Sequence, residues 1–352
     1  MKKLLLTSAL VGSTLLASNA IAQTTVTGNL NISYKTGSLD KAASQVNGGR
    51  GFGNEQQLNI QNKGKLNNGM EYAAGFSLEN DGAQTGTLFN ENVYIDFIAG
   101  NTTLTIGADH IQNSDRTLAS GIGMEAQDLL AGVGGTGIFI TSVGSDIAQS
   151  YGFGVMQTIP NIGKVSVLYV PTEDAQAATG TDKNYVESDQ ESAYEVGFVG
   201  NFGVKGLNAH AFRSVKDSTA GSKALGTAVT EDQIGTNVGA SYNFGQVTVA
   251  YNYKKDELSA KSAGGSATSG DIKQDEFAVS FAVNPNLSIS ANYTKSDKEG
   301  TSYAADAKAK TIGIGYSLGP VAIVGQYSKL TDYTGTAGVD ADVIYLAART
   351  SF

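Results

Sequence analysis

The stretch Gln233–Tyr253, QIGTNVGASYNFGQVTVAYNY, carries the pattern that decides the fold. One parity holds Ile234, Val238, Ala240, Tyr242 and Phe244, and the other holds Gly235, Asn237, Gly239, Ser241 and Asn243. After Gly245-Gln246 the alternation restarts as Val247, Val249, Tyr251 and Tyr253 against Thr248, Ala250 and Asn252. Successive side chains of a strand point to opposite faces, so this is a hairpin with one apolar face and one polar or tiny face. Taken alone, it fits a half-buried soluble sheet equally well.

Repetition and the sorting of connection lengths separate the two readings. Strands are expected near 24–34, 55–62, 70–79, 90–99, 102–109, 148–158, 164–170, 191–202, 206–215, 232–244, 247–255, 274–283, 287–296, 309–318, 321–330 and 341–352. Short turns such as Gly100-Asn101, Gly245-Gln246 and Gly319-Pro320 alternate with long polar loops near 35–54, 80–89, 110–147, 171–190, 216–231, 256–273, 297–308 and 331–340. An even number of strands with short turns at one end and long loops at the other is the pattern of a transmembrane antiparallel β-barrel. A soluble sandwich has no reason to sort its loops by parity. Sixteen strands leave an aqueous channel.

The ends and the composition agree. Met1–Ala22 has Lys2 and Lys3, an apolar run to Leu16 and Ala20-Ile21-Ala22 before Gln23. It is expected to be a cleaved secretory signal, leaving 23–352 as a single barrel domain. Without Lys2 and Lys3 the 24 basic residues fall to 22 against 33 acidic ones, so the mature formal charge is −11. That balance argues against nucleic acid as a partner. The absence of cysteine excludes a disulfide framework and a thiolate metal site.

On the expected outward face stand Val26, Leu30, Ile32, Leu58, Ile60, Phe76, Ile95, Phe97, Phe277, Val279, Ile312 and Ile314, with tyrosines 34, 72, 242, 253, 293, 316 and 327 as interfacial girdles. The inward face offers Asn29, Asn31, Asn59, Gln61, Glu71, Asp96, Thr105, Asn237, Asn252 and Asn292, which would hydrate a lumen. Inward glycines at 75, 152, 154, 197, 235, 239, 313 and 315 are expected to keep that wall open.

The segment Asp109–Gln149, DHIQNSDRTLASGIGMEAQDLLAGVGGTGIFITSVGSDIAQ, is too long for an ordinary connection and too apolar for a solvated linker. Its core, 110–147, is expected to fold inward as a constriction loop. Its G-x-G-x-x-G at 132–137 runs into Ile138-Phe139-Ile140-Thr141 and not into a helix, so it is no dinucleotide motif. The two histidines, His110 and His210, lack ligand spacing, and no catalytic constellation or cofactor is expected.

The signal, the sixteen alternating segments, a third long loop longer than the others, and a final strand Ile344, Leu346, Ala348, Thr350 ending on Phe352 together resemble the Gram-negative general porins. The segments Gly64–Gly69 and Leu104–Gly107 are similar to that family's first periplasmic turn and the strand entering its constriction loop. The resemblance implies an outer-membrane homotrimer and recognition of Phe352 by the outer-membrane assembly machinery. It also implies a pore open to small hydrophilic solutes and ions. The pore-constriction residues are expected to be Asp109, Asp115, Arg116, Glu125, Asp128 and Asp146, with Arg349 on the wall and Lys164 or Lys254 as further wall cations. The family's arginine row has no counterpart here: the mature arginines are 50, 116, 213 and 349. The acid-rich loop then favours cations. The alternatives are a substrate-selective channel, which would need a lumenal aromatic or basic track, and a plugged structural or adhesive barrel.

Overall fold

The computed structural model describes residues 23–39, 50–81, 89–108, 110, 151–171, 192–216, 232–257, 271–298, 305–332 and 337–352. Its strands are β1 (Gln23–Leu39), β2 (Arg50–Lys65), β3 (Glu71–Asp81), β4 (Phe89–Ala99), β5 (Thr102–Ala108), β6 (Gly152–Ile159), β7 (Gly163–Val170) and β8 (Ala193–Gly200). They continue as β9 (Leu207–Lys216), β10 (Gln233–Asn243), β11 (Val247–Glu257), β12 (Ile272–Asn284), β13 (Leu287–Lys298), β14 (Ala307–Leu318), β15 (Val321–Thr331) and β16 (Ala341–Ser351). Each pairs antiparallel with its sequence neighbours and β16 returns to β1, so the sheet closes into a barrel. Closure satisfies the backbone of every strand on both sides, which hydrocarbon demands.

The alternation reads directly onto the two faces. In β10, Gly235, Asn237, Gly239 and Ser241 are buried, while Val238 and Ala240 are exposed outward. Phe277, Val279, Ile312, Ile314 and Tyr316 are likewise exposed, as a lipid-facing band requires. The register keeps partners on a shared face, pairing Val238 with Tyr253 and Asn237 with Lys254.

Asparagine builds the short turns. The N–H of Gly245 donates to Asn243 Oδ1 at 2.9 Å, and that of Gly203 to Asn201 Oδ1 at 3.0 Å. Asn284 Oδ1 accepts from Asn286 and Leu287, at 2.9 and 3.0 Å. A side-chain carbonyl two residues back thus substitutes for a backbone acceptor. Gly245 follows at φ 88°, where a side chain would be strained.

Two features depart from the sequence expectation. β1 and β2 run 17 and 16 residues, reaching into the stretch 35–54 expected as loop. Gly37, Gly51 and Gly53 blur the alternation there, but pairing with Asp342–Val343 on one side and between β1 and β2 on the other holds the extension. In β4 one extra residue enters between Glu91 and Tyr94, opposite Gly75–Ser77. Asn92 absorbs it at φ 50°, and its amide donates to Ser77 Oγ at 3.2 Å. The bulge switches the inward parity from Glu91 to Tyr94 and Asp96.

The seam is finished by the terminal residue. Gly28 N–H donates to the Phe352 carbonyl at 2.8 Å, and Phe352 N–H returns to Gly28 at 3.0 Å. The ring lies over Gly28: a Cβ there would stand 2.5 Å from its Cζ. Phe352 is otherwise 72% exposed, so glycine is its seat. Phe352→Ser and Gly28→Val are both expected to lower the yield of folded barrel, read by heat-modifiable gel mobility. Because they remove one contact, the double variant should be no worse than the worse single; additive losses would refute the seat.

Candidate functional site: the lumen and its wall

The inward faces of β1 to β4 form a continuous ladder of amides and hydroxyls. Asn29 and Asn59 both donate to Gln57 Oε1 at 3.3 Å, and Gln57 passes its own amide to Glu79 Oε2 at 2.9 Å. Ser77 donates to Asn59 at 2.6 Å. Such a ladder fixes polar side chains against the wall while leaving lone pairs for water.

Across the barrel, β8 to β13 carry a second polar wall. Ser214 donates to Glu195 at 2.6 Å, His210 Nε2 lies 2.9 Å from Asn237 Oδ1, and the Gln274 amide bonds Glu276. Lys254 and Asp256 follow Asn252 on the same face, all three buried. Thr311 and Ser328 hydroxyls meet at 2.8 Å on β14 and β15.

Not all of the inner surface is polar. Ala307, Ala309, Leu330, Val339, Ala341 and Val343 form a buried apolar cluster at the loop ends of β14 to β16, with Tyr345 and Ala347 beyond it. The expectation that the inward face as a whole hydrates a lumen is corrected for this sector. The expectation for the glycines also changes. A Cβ on Gly75 would meet the Tyr94 ring at 3.0 Å, one on Gly197 the Phe212 ring at 2.3 Å, and one on Gly239 Asn252 and His210 at 2.3 and 2.6 Å. These positions are seats for large inward side chains, and they do not leave bare wall.

His110 sits in a compact clamp against β4. His110 stacks on the Tyr94 ring with centroids 3.4 Å apart and planes within 1°. Its Nε2 lies 3.1 Å from Asp96 Oδ2, and Thr105 Oγ1 donates to Asp96 Oδ1 at 2.7 Å. The Gln61 amide donates to the Tyr94 hydroxyl. Tyr94 reaches this place because the bulge turned it inward and because Gly75 and Gly107 flank it in the neighbouring strands.

Of the expected constriction residues, Asp109, Asp115, Arg116, Glu125, Asp128 and Asp146 lie outside the described residues. Arg349 stands inward on β16 opposite Asn31 and Ala322, and Lys164 and Lys254 share the inward parity of their strands. Sequence reasoning missed Lys35, Glu79, Glu195, Asp256 and Glu276 as lumenal charges. Extending each strand's parity to its loop end would have found them. Outside the wall, at the loop end of β14, Asp306 is held below the usual carboxylate range by the Lys295 ammonium donating to it. Among the described residues no group of acidic and histidine side chains could hold a metal ion.

A closed sixteen-strand barrel, apolar outside and with opposed polar walls inside, has the architecture of a transmembrane pore. A family model described as "Gram-negative porin" matches residues 7–336. The chain belongs to the Gram-negative porins. It forms a channel of the outer membrane, as members of that family do. Solved structures share this porin's fold at low identity. An anion-selective porin from Comamonas acidovorans superposes with a TM-score of 0.67 at 16% identity, covering 94% of this chain and 100% of its own. OmpF of Salmonella typhi, in complex with daunomycin, gives 0.64 at 12%, covering 94% and 97%. A variant of the Rh. blastica porin gives 0.61 at 17%, covering 94% and 100%. No curated protein sequence matches this porin.

Proposed function

We propose that this porin is a homotrimeric, water-filled pore for passive diffusion of small hydrophilic solutes, with a preference for cations. Residues 1–22 direct its export and are cleaved. The observation that carries the ion preference is the buried inward charge, Glu79, Glu195, Asp256 and Glu276 against Lys254, with Asp96, Lys35, Lys164 and Arg349 less buried on the same face and no arginine row. The acids of 109–149 add to that excess. Carboxylates on low-dielectric walls raise local cation concentration, and added salt weakens the effect as the Debye length falls to about 10 Å at 0.1 M. The Comamonas relative is named for the opposite selectivity; at 16% identity the likeness speaks for the fold alone.

The trimer is favoured by asymmetry of the outer rim. On β2 and β3 the outward positions toward the loop ends are Phe52, Asn54, Gln56 and Asn80, with Arg50 at the very end of β2, while β11 to β15 carry lysines and carboxylates at that level. Uncharged amides suit contact with a second copy better than contact with charged headgroups.

Reversal potential across a planar bilayer under a salt gradient tests the reading. Wild type should favour cations, and Glu125→Gln with Asp128→Asn should weaken this more than outward Asp297→Asn with Asp342→Asn. Anion preference in the wild type overturns the selectivity, and absence of any conductance overturns the channel itself. Equal effects of the two double variants would remove the long segment as the source.

A further inference from the structure

On the outward face of β11, β13 and β15 the same pair recurs at the loop end: Tyr253 with Lys255, Tyr293 with Lys295, Tyr327 with Lys329. The register then sets lysine opposite lysine three times, as Lys255 with Lys273, Lys295 with Lys308, and Lys310 with Lys329. Like charges directly opposite destabilise a sheet. Two of the pairs are neutralised within the chain. Lys255 lies 3.0 Å from Glu257 and 3.2 Å from Asp271, and Lys295 lies 2.8 Å from Asp306. The third has no ion-paired carboxylate among the described residues. Asp342 stands opposite Lys329, but its Oδ1 accepts the Tyr327 hydroxyl at 2.6 Å.

We propose that Lys310 and Lys329 hold the phosphate of an anionic lipid headgroup against the outside of the barrel. The level of the pair picks out a lipid. Below Lys310 the outward face is Ile312 and Ile314, and below Lys329 it is Tyr327, then Gly325 and Ile323. Tyrosine marks the membrane–water boundary, and two residues of strand raise the lysine by about 6.6 Å, to headgroup depth. Two ammonium groups side by side match a phosphate carrying more than one charge. The inference rests on the outer-membrane reading and adds a specific partner to it.

The test is native mass spectrometry of the folded porin in detergent, titrated with short-chain phosphatidic acid, with diacylglycerol of the same chains, and with inorganic phosphate. Wild type should retain phosphatidic acid and not diacylglycerol, and excess inorganic phosphate should not displace it. Lys310→Gln with Lys329→Gln should lower retention about tenfold. Lys205→Gln, the same charge change in a turn at the other end of the barrel, should not. Equal retention of diacylglycerol, displacement by inorganic phosphate, or equal behaviour of the two variants overturns the proposal. The lipid comparison on wild type decides even where the double variant misfolds. Conductance measured on the same wild-type preparation keeps a failure of this site distinct from a failure of the channel reading.

Discussion

Gly107→Ala is expected to cost about 3 kcal/mol of stability and most of the folded yield. A Cβ at that position would stand 2.2 Å from the Val93 carbonyl oxygen and 2.7 Å from Tyr94 Cα. Both are backbone atoms of the adjoining strand β4, so no rotamer change relieves them. Relief requires parting β4 from β5, whose pairing is among the shortest in the barrel. It would also shift Tyr94 and loosen the clamp at His110. Gly51→Ala is the control: its Cβ would meet nothing within 4 Å, so its effect should stay within about 0.5 kcal/mol. Urea midpoints of detergent-folded protein, followed by heat-modifiable mobility, make the measurement. Equal midpoints for the two variants would mean the strands separate more easily than their hydrogen bonds suggest.

His110→Ala is expected to multiply excursions of the open-channel current about tenfold. A stacked ring pair contributes about 0.5–1.5 kcal/mol and a partly exposed side-chain hydrogen bond about 0.5–1 kcal/mol, so the clamp is worth about 1.5 kcal/mol. Removing it raises the released population in proportion. His110→Phe keeps the stack and loses the Asp96 contact, and so should fall between. The readout is single-channel current variance and substate frequency at fixed salt, with ion selectivity followed in parallel. Recordings of His110→Ala that match wild type would show that the clamp governs nothing in the pore. A change in selectivity with unchanged noise would assign His110 an electrostatic role in place of an anchoring one.

Strand number, order and facing were legible because a period of two survives any local irregularity shorter than a strand. Asn243-Phe244-Gly245 and Asn284-Pro285-Asn286 announced their turns through side chains that can accept a hydrogen bond two residues on. What escaped notice lay where the period fails. Lys35 follows Asn29, Asn31 and Ser33 on the same parity, but the glycines after it made the stretch read as loop. Glu79, Glu195, Asp256 and Glu276 sit toward the loop ends of their strands, where charge reads as solvent exposure until pairing is known. The role of Gly75, Gly197 and Gly239 depends on which residue stands opposite. Register across strands distant in sequence carries that information, and one-dimensional pattern does not. The clamp of Tyr94, Asp96 and His110 depends on one bulged residue, Asn92, which no alternation count would place.

The seam between β1 and β16 sets an order of events. Asn31 and Tyr345 touch across it at 3.5 Å, although 314 positions separate them. Bringing such distant ends together costs only about 2 kcal/mol more entropy than closing a hairpin of some 30 residues. Equilibrium therefore barely notices the span, whereas timing does. Each hairpin can zip as soon as its own two strands exist, but the partner of the first strand is the last one made. Until then both rims of the growing sheet offer unpaired N–H and C=O groups to any passing chain, and the apolar face has no bilayer to enter. The open edges of such a chain are safe from other chains only once the last strand has met the first.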